Sequence, residues 1–249
     1  MELVHAPVPE LKGLLTESFE QWARLRSDSA KATSDPAAAG SSSCALSGGA
    51  TGLIFLPALR AANVNWAKIT LFWVDERAVA ADDPESNYGL AERMLLTPLA
   101  GKAPRAVRMP LESADGSLSE AAKLYDTRLA HELGGRTLDL ALLGVGEDGH
   151  VAGLFPGHAA LAQDQARVVA IEDAPKSPKR RLSLSLRFLL QSREIWIVAV
   201  GARKLPVLQA AWSRTQRQTP LDLLLQQQAK RVTVFTDQVI RSASTSRRG

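Results

Sequence analysis

Hydrophobic residues along the chain follow two different periods. In residues 10–26, leucine and aromatic residues recur at every third or fourth position, which predicts a helix with one buried face. The same reasoning predicts helices at residues 53–62, at residues 88–96 after a loop at 84–87, and at residues 117–133, 203–212 and 221–228. Short apolar runs predict strands at residues 44–46, 69–74, 138–143, 167–171, 182–186, 195–200 and 231–235.

Strands that alternate with helices predict an α/β fold in three layers. The central sheet is expected to be mostly parallel and buried between helices on both of its faces. Residues 1–240 are predicted to form a single domain of this kind, because the chain of 249 residues is long enough for one large α/β core. Residues 27–43 are small or polar and predict a connection, and residues 241–249 predict a flexible tail.

Composition and charge exclude several classes of protein. Apolar residues make up 45% and charged residues 22%, as in ordinary globular proteins, and the formal net charge is only +4. The basic residues are scattered without interleaved aromatic residues, so nucleic acid is not an expected partner. No window approaches the roughly 18 consecutive apolar residues of a membrane span. The one cysteine, Cys44, cannot form an internal disulfide and is expected in the core, which together with the lack of a signal-like N-terminus favours a cytoplasmic protein.

Three turns rich in functional groups each follow a predicted strand. They lie at residues 47–51, 75–77 and 144–150. In an open parallel sheet, ligands bind beyond the carboxyl ends of the strands. The sequence therefore predicts that the three turns meet in one binding site.

The first turn, Ser47-Gly48-Gly49-Ala50-Thr51, suits a phosphate. Two glycines allow a tight turn with close backbone approach, and the amides of the following helix N-terminus can bind an anion. Ser47 and Thr51 add hydroxyl groups. By itself this pattern is also that of an ordinary connection between a strand and a helix, and it has neither P-loop nor dinucleotide spacing.

The second and third turns carry charged and titratable side chains. Arg77 is suited to grip a phosphate or carboxylate, while Asp75 serves either as a base or as the anchor of Arg77; a surface ion pair is the alternative. His150 lies in a glycine-rich turn directly after a strand, where a neutral imidazole can accept a proton from water. Arg181 and Lys204 begin a predicted strand and a predicted helix, and can reach the same edge, although each by itself reads as a surface cation.

Metal and cofactor motifs are missing from the sequence. It contains no His-Glu-x-x-His, no cysteine pair and no carboxylates at EF-hand spacing, so neither a metal nor another cofactor is expected. It also contains no Gly-x-Ser-x-Gly, so a serine nucleophile has no candidate.

Taken together, the motifs resemble the 6-phosphogluconolactonase family. The resemblance rests on five segments in the family's order: SGGAT at 47–51, FWVDERAVAADDPESNYGLA at 72–91, LDLALLGVGEDGHVAGLFPG at 138–157, RLSLSL at 181–186 and GARK at 201–204. It implies the three-layer fold of glucosamine-6-phosphate deaminases and ribose-5-phosphate isomerases. The implied activity is hydrolysis of 6-phospho-D-glucono-1,5-lactone, the second step of the oxidative pentose phosphate pathway, by a monomer or weak homodimer.

The resemblance also implies roles for individual residues. His150 matches the family's general base, and Asp148 shapes the turn or orients His150, while Asp75 is either catalytic or structural. Arg77 matches a substrate and phosphate ligand. The other positions that match the phosphate side are Ser47, Gly48, Gly49, Thr51, Arg181 and Lys204.

Two departures and two alternative functions accompany the resemblance. Gly52 stands where the family often has proline, and Gly153 where it usually has serine. A deaminase or isomerase acting on glucosamine 6-phosphate is the alternative enzyme, but such enzymes typically carry Asp-Glu-Tyr at 75–77 and Asn-Glu-Pro at 154–156. A non-catalytic sensor of sugar phosphates is the alternative from another class, and His150 argues against it.

Overall fold

The computed structural model describes residues 1–31, 41–113, 116–163, 165–213, 219–227 and 231–241. A seven-stranded sheet lies at the centre, in the order β1-β10-β9-β6-β2-β3-β5, and each neighbouring pair of its strands is parallel. These strands are β1 (Glu2–His5), β2 (Ser42–Leu46), β3 (Ile69–Trp73), β5 (Arg105–Val107), β6 (Leu140–Gly144), β9 (Glu194–Ala199) and β10 (Val232–Thr236). A separate three-stranded sheet contains β4 (Asp75–Arg77), β7 (Val168–Ile171) and β8 (Arg181–Leu184).

Helices connect and cover the strands of the central sheet. They are α1 (Val8–Lys31), α2 (Gly49–Ala61), α3 (Asn87–Ala91), α4 (Thr97–Leu99), α5 (Leu118–Leu133), α6 (Leu186–Leu190), α7 (Leu205–Trp212) and α8 (Pro220–Gln227). Every residue of β3 is buried, although successive side chains point to opposite faces, so the sheet is covered on both faces. The predicted three-layer α/β architecture is confirmed. None of the described helices is both long and apolar enough to cross a membrane.

The second sheet departs from the sequence prediction. The strands predicted at 167–171 and 182–186 form β7 and β8, which are antiparallel to each other and lie outside the central sheet. Strand β4 continues the chain directly after β3 and pairs with β8, and Leu184 donates its backbone N–H to the carbonyl of Val74 at 2.7 Å. An apolar run predicts a strand but carries no information about its partner, so the sequence did not predict that these two strands form a separate sheet.

Several element boundaries also differ from the prediction. Helix α1 extends to Lys31, so part of the predicted connection at 27–43 is helical, and residues 32–40 lie outside the described residues. Helix α2 begins at Gly49 rather than at residue 53. The short strands β1, β4 and β5 were missed, because three or four residues of mixed polarity give no periodic signal. The predicted tail also lies outside the described residues from 242 onward.

Local signals agree with tertiary packing at several points. Ser117 caps α5 by accepting a hydrogen bond from Glu120 N, and Gly134 ends the helix in the left-handed conformation at φ 57°. Tyr125 of this helix is fully buried and its hydroxyl accepts a hydrogen bond from Trp73 N at 3.0 Å, which fixes α5 against β3. Cys44 is buried in the core as predicted, and burial raises the pKa of its thiol.

Candidate active site

The three turns predicted to hold ligand do meet at one edge of the sheet. Strands β6, β2 and β3 are neighbours, so their carboxyl ends bring residues 47–51, 75–77 and 144–150 together. They surround a cavity of about 200 Å³. Its lining consists of Ser47, Gly48, Gly49, Ala50, Thr51, Asp75, Arg77, Asn87, Gly144, Val145, Gly146, His150, Ala152, Arg181 and Lys204. Every predicted site residue lines the cavity except Asp148, which contacts His150 from behind.

A tight turn after β6 places His150 against Asp148. Gly146 N donates to the carbonyl of His150 at 2.8 Å, and Gly149 N donates to the carbonyl of Gly146 at 3.0 Å. Gly149 has φ +82°, a conformation that favours glycine. The Nδ1 atom of His150 lies 2.5 Å from Oδ1 of Asp148. This contact fixes the ring and leaves Nε2 as the nitrogen available to a ligand.

Gly146 makes room for this pair. A Cβ atom at this position would overlap both Nδ1 of His150 and Oδ1 of Asp148. The glycine in the Gly-Glu-Asp-Gly-His motif therefore has a steric role directly beneath the imidazole.

The charges of the pair follow from their surroundings. Burial by itself would raise the pKa of Asp148, but the hydrogen bond from Lys176 and the neighbouring His150 outweigh it and lower the pKa to about 2. Burial lowers the pKa of His150 below its ordinary value, and Asp148 opposes this only partly. The ring of Phe155 packs 4.5 Å from that of His150 and contributes to the burial. At neutral pH the site therefore holds an ionised Asp148 and a neutral His150.

Arg77 and Asp75 project from β4. The guanidinium of Arg77 donates to the backbone carbonyl of Glu85 at 2.6 Å and lies 3.3 Å from the Glu85 carboxylate. Its Nε is 3.9 Å from Oδ2 of Asp75, which is buried. Of the two readings left open by the sequence, this geometry favours Asp75 as an anchor of Arg77.

Glu76 holds the cavity wall together and was not singled out in the sequence. Its buried carboxylate accepts hydrogen bonds from the backbone N–H groups of Arg77, Asn87 and Tyr88 at 2.7 to 2.8 Å and from the Ser86 hydroxyl at 3.2 Å. Burial raises the pKa of Glu76, although these donors oppose it. The carboxylate thus joins β4 to the N-terminus of α3.

Asn87 lines the cavity and is another residue that sequence reasoning missed. Its Nδ2 donates to the backbone carbonyl of Asp75 at 2.9 Å, and its side chain packs so closely on Gly48 that a Cβ atom there would overlap it. Asn87 belongs to the SNYGL segment, on which the family resemblance partly rests, and that segment was the sequence signal that could have identified it as a site residue. Its position beside the glycine turn depends on α3 folding back onto α2, which no local pattern reveals.

Arg181 is buried, contrary to its reading as a surface cation. It stands directly opposite Arg77 in the antiparallel pair of β8 with β4. Its guanidinium donates to the backbone carbonyls of Lys176, Ser177 and Pro178 at 2.7 to 3.2 Å. Three carbonyl acceptors fix the orientation of this cation without neutralising its charge.

The glycine turn and Lys204 complete the cavity. The Oγ of Ser47 accepts a hydrogen bond from Gly144 N at 3.1 Å, which ties the turn to β6, and Thr51 packs closely on Gly144. Gly48 precedes the first residue of α2, and Gly49 has φ +59°. The first N–H groups of a helix lack partners within it and suit an anion. Burial lowers the pKa of Lys204, which ends a short 3₁₀ turn before α7.

Both departures from the family pattern lie in closely packed places. A Cβ atom at Gly52 would lie 2.9 Å from Leu90 Cδ2, and one at Gly153 would lie 2.9 Å from Ser183 Cβ. Gly153 N also donates to the Ser183 hydroxyl at 3.1 Å, so Ser183 occupies the space that a side chain at 153 would need.

Within the described part of the chain, no three histidine, cysteine or carboxylate side chains cluster as metal ligands would.

Comparison with known proteins places these features in a family. A family model described as glucosamine-6-phosphate isomerases/6-phosphogluconolactonase matches residues 18–234. The chain is 36% identical over 183 residues to 6-phosphogluconolactonase of Mycobacterium tuberculosis, covering 70% of this chain and 74% of that protein. It is 34% identical over 180 residues to 6-phosphogluconolactonase of Streptomyces coelicolor, covering 68% and 69%. A crystal structure of a 6-phosphogluconolactonase from Shewanella baltica superposes with a TM-score of 0.80 at 26% identity, covering 95% of this chain and 97% of that one.

Proposed function

The chain belongs to the family of glucosamine-6-phosphate isomerases and 6-phosphogluconolactonases, and we propose that it hydrolyses 6-phospho-D-glucono-1,5-lactone to 6-phospho-D-gluconate. One observation carries the proposal. A neutral His150, backed by the Asp148 carboxylate at 2.5 Å, faces a cavity whose lining includes three cations and a glycine turn. This arrangement offers a base for water beside a binding surface for a phosphate. The reaction is the second step of the oxidative pentose phosphate pathway.

His150 acts as the base in this proposal. Asp148 accepts a hydrogen bond from Nδ1–H of His150, so the lone pair of Nε2 is free to take a proton from a water molecule as the water oxygen bonds to C1 of the lactone. The C1 oxygen becomes an oxyanion, which backbone N–H groups or a nearby cation stabilise. The bond between C1 and the ring oxygen then breaks, and the ring oxygen takes the proton from the imidazolium. The product acid releases its own proton to solvent.

The phosphate end of the substrate is assigned to the cations and the helix N-terminus. Among the residues that the structure describes, Lys204 has neither a hydrogen bond nor an ion pair on its ammonium group, so it is free to bind an anion. Arg77 and Arg181 lie side by side on β4 and β8, where adjacent guanidinium groups favour an anion between them. Ser47, Gly48, Gly49 and Thr51 supply the turn and the start of α2.

The proposal extends to the setting of the enzyme. We propose that it acts in the cytoplasm as a monomer or weak homodimer, with the sugar phosphate as its partner and without nucleic acid, membrane, metal or other cofactor. Size-exclusion chromatography with light scattering at two protein concentrations tests the oligomeric state.

Freshly prepared 6-phosphogluconolactone tests the activity, with acid release followed by pH-stat against the uncatalysed rate. His150→Asn is expected to lower kcat by about 10²–10⁴, the usual contribution of a general base. His131→Asn is the matched control, because His131 is 84% exposed on α5 and is not part of the cavity. A wild-type protein that does not accelerate lactone opening would disprove the proposal, and a fully active His150→Asn would disprove the role of the histidine.

A second substrate separates phosphate binding from chemistry. Lys204→Ala is expected to lower kcat/KM for the phosphorylated lactone by about 10–150-fold, since one charge-assisted hydrogen bond contributes about 1.5–3 kcal/mol. On glucono-δ-lactone, which lacks the phosphate, the same variant should differ little from wild type. An equal loss on both substrates would contradict the assignment.

A further inference from the structure

Lys176 contacts Asp148, the partner of the candidate base, from outside the cavity. It lies in the segment before β8, and its Nζ is 2.8 Å from Oδ2 of Asp148. The other oxygen of that carboxylate, Oδ1, contacts Nδ1 of His150. The carboxylate is thus held at both oxygens, which opposes a rotation that would tilt the imidazole.

The same segment, residues 176–178, also contacts Arg181 in the wall of the cavity. The backbone carbonyl of Lys176 accepts a hydrogen bond from the Arg181 guanidinium at 3.1 Å, and the carbonyls of Ser177 and Pro178 accept from it as well. One stretch of three residues therefore positions Arg181 through its backbone and Asp148 through the Lys176 side chain. A displacement of this segment would move both sides of the cavity together.

We infer that Lys176 is a positioning residue, which fixes the orientation of His150 through Asp148. The inference rests on the proposed function for its catalytic meaning. The ammonium of Lys176 also acts on the imidazole of His150 through its charge. Asp148 and Asp75 favour protonation of His150, while burial and the Lys176 ammonium oppose it. Lys204 and the ion pair of Glu147 with Arg203 are the other charged groups near the turn.

A surface ion pair without a functional role would behave differently. The side chains of Lys176 and Asp148 are 48% and 35% exposed, and pairs of this exposure contribute little to stability. Removal of Lys176 should therefore leave unfolding almost unchanged. Its effect should appear in the titration of His150 and in turnover.

Lys176→Gln is the test variant, Lys176→Arg the conservative one and Arg203→Gln the matched control. Arg203 is 86% exposed and pairs at 3.1 Å with Glu147, the neighbour of Asp148, so the control removes a nearby cation without touching Asp148. The ring protons of His150 are followed by NMR between pH 4 and 9 in the free protein, with the resonance assigned by its loss in His150→Asn. The profile of kcat/KM with pH is measured on the same variants.

Lys176→Gln is expected to raise the pKa of His150 by roughly half to one unit, because a cation several ångströms from the ring is removed. The acid limb of kcat/KM should move by the same amount, and its plateau should fall roughly 10-fold through loss of alignment. Lys176→Arg should restore most of both, and Arg203→Gln should change neither. An unshifted His150 titration in Lys176→Gln would overturn the inference. The NMR titration needs no turnover, so a shift in a protein without lactonase activity would disprove the proposed function and leave the coupling intact.

Discussion

Gly146→Ala tests the geometry of the candidate base with a single methyl group. The backbone of Gly146 lies outside the left-handed region, so alanine adds no backbone strain. The new Cβ atom, however, would fall on Nδ1 of His150 and on Oδ1 of Asp148. The two side chains must therefore leave their present positions, while the rest of the cavity keeps its lining.

The magnitude follows from the overlap. Ordinary van der Waals contact begins at about 3.4 Å, and the new methyl group would lie well inside it, so the imidazole must move by about 1 Å or more. Misplacement of a catalytic group by this distance costs about 10²-fold. Overpacking should also lower the free energy of unfolding by about 1–3 kcal/mol, which a folded protein of this size can tolerate.

The assay compares kcat/KM for 6-phosphogluconolactone with the midpoint of urea unfolding. Gly101→Ala is the control, since a Cβ atom at Gly101 meets nothing within 4 Å. We expect a loss of about 100-fold or more in Gly146→Ala and no change in Gly101→Ala. In a His150→Asn background the additional loss from Gly146→Ala should be small, because both changes remove the same base. Wild-type turnover in a folded Gly146→Ala would refute the assigned arrangement.

The remaining predictions concern a buried carboxylate and the effect of pH. Glu76→Gln should lower the free energy of unfolding by about 1–3 kcal/mol in urea denaturation, because an amide –NH₂ would face donors that now bind a carboxylate oxygen. The control Glu120→Gln, at a 58% exposed side chain, should change the free energy of unfolding by less than about 0.5 kcal/mol. Equal effects of the two substitutions would contradict the structural role of Glu76. The acid limb of wild-type kcat/KM should have its midpoint below 6.5, because burial lowers the pKa of His150 and activity is lost as pH falls through it. Asp148 has a pKa of about 2 and should therefore add no second acid limb above pH 4. An acid limb centred above pH 6.5 would contradict the assignment of His150 as the neutral base.

Much of the fold was predictable because its signals are local. The runs at 69–73 and 140–143 are buried on both faces of the sheet, and only continuous apolar sequence satisfies that environment. The glycine-rich turns and His150 were also predictable, since a turn of special geometry at the end of an apolar strand is visible in the sequence. The meeting of these turns followed from parallel topology, in which all carboxyl ends lie at one edge.

Other features were decided only by tertiary structure. Which sheet β8 joins depends on pairing with β4 about one hundred residues earlier, and that pairing places Arg181 opposite Arg77 and buries it. Asn87 reaches the cavity because Glu76 binds the backbone of the following helix.

The contact of Lys176 with Asp148 shows the physical reason most directly. Read along the chain, Lys176 is an ordinary surface charge, since neither its neighbours nor its spacing distinguishes it. Its contact is with Asp148, which is distant in sequence and which only folding brings to 2.8 Å from the ammonium group. The sequence by itself thus determined the strands, the turns and the types of chemical group at the cavity, whereas the tertiary structure decided which groups contact one another and which charges are buried.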